Sequence, residues 1–151
     1  MEISQRGRIA LAIAIVAIGG YFWLKPDPEY ALAVKTHLIN ACADKGGKAG
    51  SDVLIKRDLT GDGQGDLLIN HKGYTCADGS KSQLCEGEQC MVFIYVKNEK
   101  DQFYLRTNFY DIYMRIGPED PPVISGAYQT GKVYDLQWNG SEFARVSETT
   151  P

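Results

Sequence analysis

Basic charge is scarce in this chain. Its 151 residues carry 16 Lys and Arg against 19 Asp and Glu. Setting aside the segment through Leu24 removes Arg6, Arg8 and Glu2, which leaves 14 basic and 18 acidic residues. Such a surface offers a phosphate backbone little to bind, so nucleic acid is not an expected partner. Histidine is scarcer still, with only His37 and His71. No serine sits in a nucleophile elbow, and Gly61-Asp62-Gly63-Gln64-Gly65 has neither a following helix nor a P-loop lysine. There is no C-x-x-C pair and no C-x-x-C-H haem site, and Cys76, Cys85 and Cys90 with His71 match no zinc spacing. The sequence nominates no reaction, and a non-enzymatic protein is expected.

Charge is also missing from Ile9 to Leu24. Sixteen helical residues reach about 24 Å, and snorkelling of Arg8 and Lys25 extends that toward a hydrocarbon core of roughly 30 Å. The apolar positions Ile9, Leu11, Ile13, Ile15, Val16 and Ile18 lead into Tyr21, Phe22, Trp23 and Leu24, an interfacial aromatic belt. Arg6 and Arg8 on one side, against Asp27 and Glu29 on the other, predict an N-terminus in the cytoplasm. A cleaved signal peptide is the competing expectation, giving a secreted protein. Three bulky aromatics after Gly19-Gly20 are poor peptidase flanks, and no cysteine follows to accept a lipid. The expected organisation is therefore a cytoplasmic tip over 1–8, a transmembrane anchor over 9–24, a stiff linker over 25–28 and a disulfide-bonded β-rich domain over 29–151.

In that domain Asp27 and Pro28 make a helix entry, and Tyr30, Val34, Leu38, Ala41 and Cys42 recur at helical spacing until the glycines of 44–50. One amphipathic helix is predicted, with His37 beside its apolar face as a structural residue. No helical pattern follows Gly46, whereas short β-branched and aromatic runs do. Strands are expected over 53–58, 65–71, 91–96, 103–107, 110–116, 123–128, 132–138 and 143–146, with a bend or bulge at Asn108 and a two-residue hairpin at Asn139-Gly140. Residues 72–89 read as a long cross-linked excursion. Without crossover helices the sheet should be antiparallel. The fold class is α+β, mostly β: a transmembrane helix, one amphipathic helix and an antiparallel sheet of about seven or eight strands.

Between the first two strands lies Asp58-Leu59-Thr60-Gly61-Asp62-Gly63-Gln64-Gly65-Asp66. Calcium prefers six to eight hard oxygens, and a glycine at the sixth position lets the chain turn sharply enough to converge them. The candidate ligands are the side chains of Asp58, Thr60 and Asp62, the carbonyl of Gln64, and Asp66. Ile69 stands where an EF-hand has glutamate, and strands rather than helices flank the loop, so it is no EF-hand. A turn made of Asp and Gly for conformational reasons is the plainer alternative. The loop resembles the D-x-N-G-D-G-x-x-D motif of FG-GAP and related calcium-loop repeats of extracellular β-propellers, with Thr60 in the Asn place. With Cys85-Glu86-Gly87-Glu88-Gln89-Cys90 opening a strand and Trp138-Asn139-Gly140-Ser141-Glu142-Phe143 near the end, the order from Val53 to Val146 is similar to small exported proteobacterial proteins. The resemblance implies bound Ca²⁺ and a periplasmic compartment, and no activity. The loop occurs once, which excludes a self-contained propeller.

Four cysteines in an exported chain predict two disulfides. Cys85–Cys90 with Cys42–Cys76 is the preferred pairing, and Cys76–Cys90 with Cys42–Cys85 the alternative. Phe103, Tyr104, Phe109, Tyr110 and Tyr113 are a candidate partner face, in competition with simple packing on both sides of a twisted strand pair. The expected function is a single-pass protein of the bacterial inner membrane with its domain in the periplasm, serving as a non-catalytic accessory subunit of a membrane-protein complex. A calcium-dependent ligand- or carbohydrate-binding module is the alternative.

Overall fold

A computed structural model describes residues 34–37, 40–43 and 45–150. The expected tip, anchor and linker, and the first turn of the expected helix, lie outside the described residues. What is described of that helix is helical at 34–37 and 40–41.

The rest is antiparallel β-structure. Among the described residues the strands are β1 (Gly47–Ala49), β2 (Leu54–Arg57), β3 (Asp66–Asn70), β4 (Tyr74–Cys76), β5 (Cys85–Glu86), β6 (Gln89–Lys97), β7 (Phe103–Asp111), β8 (Tyr113–Ile116), β9 (Ile124–Ala127), β10 (Val133–Trp138) and β11 (Phe143–Thr149). They do not form the single sheet expected from the sequence. Five of them, β2, β3, β5, β6 and β7, make one sheet, β8 to β11 make a second as a simple meander, and β1 pairs with β4 alone.

β6 organises the first sheet. Its side chains alternate strictly between buried and half-buried, the period of a strand covered on both faces. β7 pairs along one edge from Cys90 to Lys97. The other edge is shared by β3, opposite residues 92–95, and by β5, opposite Gln89 and Cys90. Val92 and Ile94 point with Leu68 toward the second sheet, where Leu59, Ile124, Tyr134 and Leu136 complete the main core. Each such buried side chain contributes about 1.5–3 kcal/mol. Phe93 and Tyr95 point the other way and meet His37 of the helix, whose ring lies 4.3 Å from that of Phe93. The order of layers is therefore helix, first sheet, second sheet.

Two departures from the sequence expectation have local causes. The strand expected over 110–116 is broken at Ile112, where the chain turns a corner from the first sheet to the second. Asp111 is buried at that corner, and its Oδ1 accepts hydrogen bonds from Ala127 N at 2.7 Å and Tyr134 Oη at 2.9 Å. The irregularity expected at Asn108 is a bulge two residues earlier: Ile94 faces Thr107 and Tyr95 faces Leu105, which leaves Arg106 as the extra residue. The excursion is more regular than expected, because β4 pairs with β1 across the glycine-rich stretch. Gly47 permits this approach, since a Cβ there would lie 2.6 Å from the carbonyl oxygen of Thr75.

Candidate functional site

The two disulfides join Cys42 to Cys76 and Cys85 to Cys90, the preferred pairing. The first fixes the end of the helix to β4 and its neighbours Ala41, Val53 and Tyr74, which form a second small core. The second closes the β5–β6 hairpin, whose register sets the two cysteines directly opposite each other.

The acidic loop joins β2 to β3, and its carboxylates mostly serve its own backbone. Asp58 Oδ1 accepts from Thr60 N at 3.1 Å and Gly61 N at 2.7 Å, while Oδ2 accepts from Gly63 N at 2.7 Å. Burial pushes the Asp58 carboxyl up, but the N–H groups of Gly63, Gly61, Thr60 and Asp62 outweigh it and leave it below its ordinary value. Asp62 is exposed and accepts from Gln64 N at 2.8 Å. Gly61 and Gly63 take positive φ, of 77° and 83°, the turn that the spacing anticipates. Asp66 faces inward and is fully buried. Its Oδ2 accepts from Leu59 N at 2.8 Å and Thr60 Oγ1 at 3.3 Å, and its Oδ1 from Lys97 N at 2.9 Å at the end of β6. Burial raises its pKa against the pull of the Lys97 and Leu59 N–H bonds, helped by the nearby charge of Asp62.

Among the described residues no three His, Cys, Asp or Glu side chains converge as a metal-holding group. In the outer half of the loop Asp62 is exposed and Thr60 half-buried, while both Asp58 oxygens already accept backbone N–H groups. Both Asp66 oxygens are occupied in the same way, by Leu59 N and Lys97 N, and this side chain is buried.

The five aromatics expected as one partner face are divided. On β7, Phe103 and Tyr110 share the side of Lys97 and Met91, whereas Tyr104 and Phe109 share the side of Val96 and Val92. Phe109 packs on the main core, with its ring 5.8 Å from that of Tyr134. Tyr113 lies past the corner on β8. Tyr104, Leu105, Tyr110 and Tyr113 are the exposed members of this stretch, at 43 to 60%.

Two constellations escaped sequence reasoning. The first is a cleft of about 390 Å³ between β7 and the β10–β11 hairpin, lined by Thr107, Asn108, Phe109, Tyr128, Tyr134, Leu136, Phe143 and Arg145. The Arg145 guanidinium lies over Tyr128 at 5.5 Å and Tyr134 at 5.8 Å, and it is hydrogen-bonded to the Tyr128 hydroxyl and paired with Glu148. Tyr134 is tied to Asp111, and burial followed by that charge raises its phenol. Burial likewise raises Asp111, against the Ala127 and Tyr134 hydrogen bonds.

The second is a buried run of side chains. Ser82 Oγ lies 3.1 Å from His71 Nδ1, His71 Nε2 lies 3.4 Å from His37 Nδ1, and His37 Nε2 lies 2.5 Å from Tyr95 Oη. A nucleophile, a base and an orienting group stand in order here, yet Ser82 is 2% exposed and His71 is fully buried. Ser82 Oγ also accepts from Leu84 N at 3.1 Å. Burial lowers both imidazoles, and His71, which also faces His37, is pushed down to about 4. The only sequence signal was parity: His71 ends an apolar strand and His37 borders an apolar helix face.

No family model matches the chain, and no curated protein or solved structure matches it at a significant level.

Proposed function

We propose that the chain is a membrane-anchored accessory protein of the bacterial periplasm, a non-catalytic subunit of a larger membrane complex, and that its described domain meets a partner along β7 and the start of β8. The observation that carries this reading is the exposure of Leu105 and Tyr110, which share one side of the edge strand β7, with Tyr113 exposed just past the corner and Tyr104 exposed on the other side. Exposed large apolar residues gathered in one place mark interaction sites, and tyrosine is favoured at their hot spots. The titratable groups inside the domain are spent on its own architecture, which supports a binding role over a chemical one. Co-purification in mild detergent tests this. The protein is expected to migrate with a partner, and Tyr110→Ser with Tyr113→Ser should weaken the association by about tenfold or more, a loss of roughly 1.4 kcal/mol. Migration alone at the monomer mass would refute it. The anchor is tested separately by mass spectrometry of the mature protein, where a chain beginning between Gly20 and Pro26 would show cleavage and a secreted form.

The aromatic cleft favours a second reading, a module for a small ligand or carbohydrate. None of its lining residues belongs to the acidic loop, so calcium would not shape it. A thermal-shift screen against glycans and small ligands addresses it, and a flat response would sink it. Calcium belongs to either reading as a proposal for the outer half of the loop.

A further inference from the structure

The helix described at 34–37 and 40–41 is fastened to the sheets in two different ways. One is covalent, through Cys42 and Cys76 at its end. The other is the run Ser82–His71–His37–Tyr95, which draws together the helix, β6, the turn after β3 and the excursion.

Proton count decides whether this second fastening holds. Among the described residues, the groups facing the two rings are Phe93 and Tyr95 from β6, Tyr74 from β4, Ser82 from the excursion, and each other. None of these is a carboxylate or a cation. With one proton on each imidazole, the run closes in either direction. Tyr95 donates to His37, His37 to His71 and His71 to Ser82, or every donor reverses. One additional proton makes a buried cation with no counter-charge among these groups. A second sets two N–H groups and two like charges against each other across 3.4 Å. Protonation therefore favours conformations in which the rings reach water. His71 sits in a turn wedged between β3 and β4, whereas His37 rides on a helix whose covalent tie lies five residues away at Cys42. Among the described residues the helix belongs to no sheet, and it is the part that moves.

We propose that the histidine pair is an acid-sensitive latch: protonation releases the helix that carries His37 from the Phe93–Tyr95 face of β6, while the Cys42–Cys76 disulfide keeps it tethered. On β6 the released surface is that of Phe93 and Tyr95, half-buried in the latched state, so unlatching exposes them further. The latch does not depend on the identity of any partner.

Hydrogen exchange on the full chain in detergent, at about pH 7.5 and about pH 5 with intrinsic rates normalised, tests the proposal across the range in which histidine titrates. Amides of residues 34–41 are expected to lose protection about tenfold or more at the lower pH, while those of β6, β9 and β10 keep theirs. Histidine NMR on the same sample should show both rings neutral at the higher pH. In His37→Gln with His71→Gln the pH difference at 34–41 should vanish. Equal protection at both pH values would overturn the latch, as would loss of protection across both sheets together, or a pH difference that survives in the double variant. Because the wild-type comparison stands alone, a double variant that fails to fold leaves the test intact.

Discussion

Replacing Asp66 with Ala should be among the most damaging single changes in this domain. The carboxylate is fully buried and holds Leu59 N at 2.8 Å, Lys97 N at 2.9 Å and Thr60 Oγ1 at 3.3 Å. Alanine leaves two backbone N–H groups without acceptors, at about 1–3 kcal/mol each, so roughly 4 kcal/mol should be lost in total. That is a large share of the ~5–15 kcal/mol available to a domain of this kind. Asp66→Asn keeps one carbonyl oxygen, sets an NH₂ against the other donor and removes a buried charge, and should cost about half as much. Urea denaturation followed by tryptophan fluorescence reads the difference. At an m-value of about 1.5 kcal/mol/M, the alanine variant's midpoint should fall by about 2–3 M. A loss below about 1 kcal/mol would refute the assignment of Asp66 as a clip between the loop and β6. A loss that appears only when calcium is present, and vanishes in EDTA, would refute it in a different way by assigning Asp66 to the metal.

Calcium at 100 times its dissociation constant should add about 2.7 kcal/mol to the wild type. Asp62→Ala should remove that gain while changing calcium-free stability by no more than about 0.5 kcal/mol, since Asp62 is an exposed residue that holds a single loop N–H. An identical melting temperature with and without chelator would reduce the loop to a turn. Gly126→Ala should cost about 1–3 kcal/mol, because the new Cβ would stand 2.3 Å from Tyr134 Oη and 2.5 Å from Asp111 Oδ1 at the corner; an unchanged melting temperature would contradict that geometry. Chain entropy ranks the disulfides. Converting Cys42 and Cys76, which are 34 residues apart, to Ser should cost about 4 kcal/mol, against about 2 kcal/mol for Cys85 and Cys90, which are 5 apart, and the reverse order in urea melts would count against that account. Stability should also fall with acid. His71 titrates near 6.5 when unfolded and about 4 when folded, so between these values the unfolded chain binds more protons. The folded state should lose up to about 3 kcal/mol as pH drops through that window, and less if the helix unlatches first. Asp66 and Asp111, raised in the fold above 3.8, act in the opposite direction and should flatten the fall in the carboxylate range. Stability that is level from pH 7 to 5 would contradict the burial of a neutral His71.

Much of the β-structure was legible because it rests on period and turn chemistry. β6 showed itself as the unbroken apolar run 91–96, and Asn139-Gly140 announced the final hairpin, where Gly140 takes a φ of 100° and Asn139 Oδ1 accepts from the backbone N–H groups of Ser141 and Glu142. Two disulfides holding the excursion were legible from the four cysteines, but not their partners, because either pairing considered would close it. Other features carry no periodic signal. Strands of three residues such as β1 and β4 are too short to show one. The corner at Ile112 interrupts a run whose alternation continues through it, and only the isolated Asp111 marks the break. Asp66 was readable in part. It lies two residues before Leu68 on β3 and so shares the core side, yet residue type and spacing drew attention to its carboxylate as a ligand. The histidine pair depends on the helix meeting the sheet, a long-range contact that neither segment encodes alone.

The meander of β8 to β11 gives the fold a temporal asymmetry. Each of its strands pairs with its immediate neighbour in sequence, so the closures it needs are short and fast. The first sheet instead requires β6 to find β3 across the excursion. In a chain delivered from its N-terminus, residues 47–111 emerge before the strands that cover Leu68, Val92 and Ile94. Until residues 113–149 arrive, that apolar wall faces water, and the nascent domain is an aggregation-prone intermediate. Demand for a chaperone should therefore be confined to one interval of synthesis, ending when Ile124, Tyr134 and Leu136 come down on it.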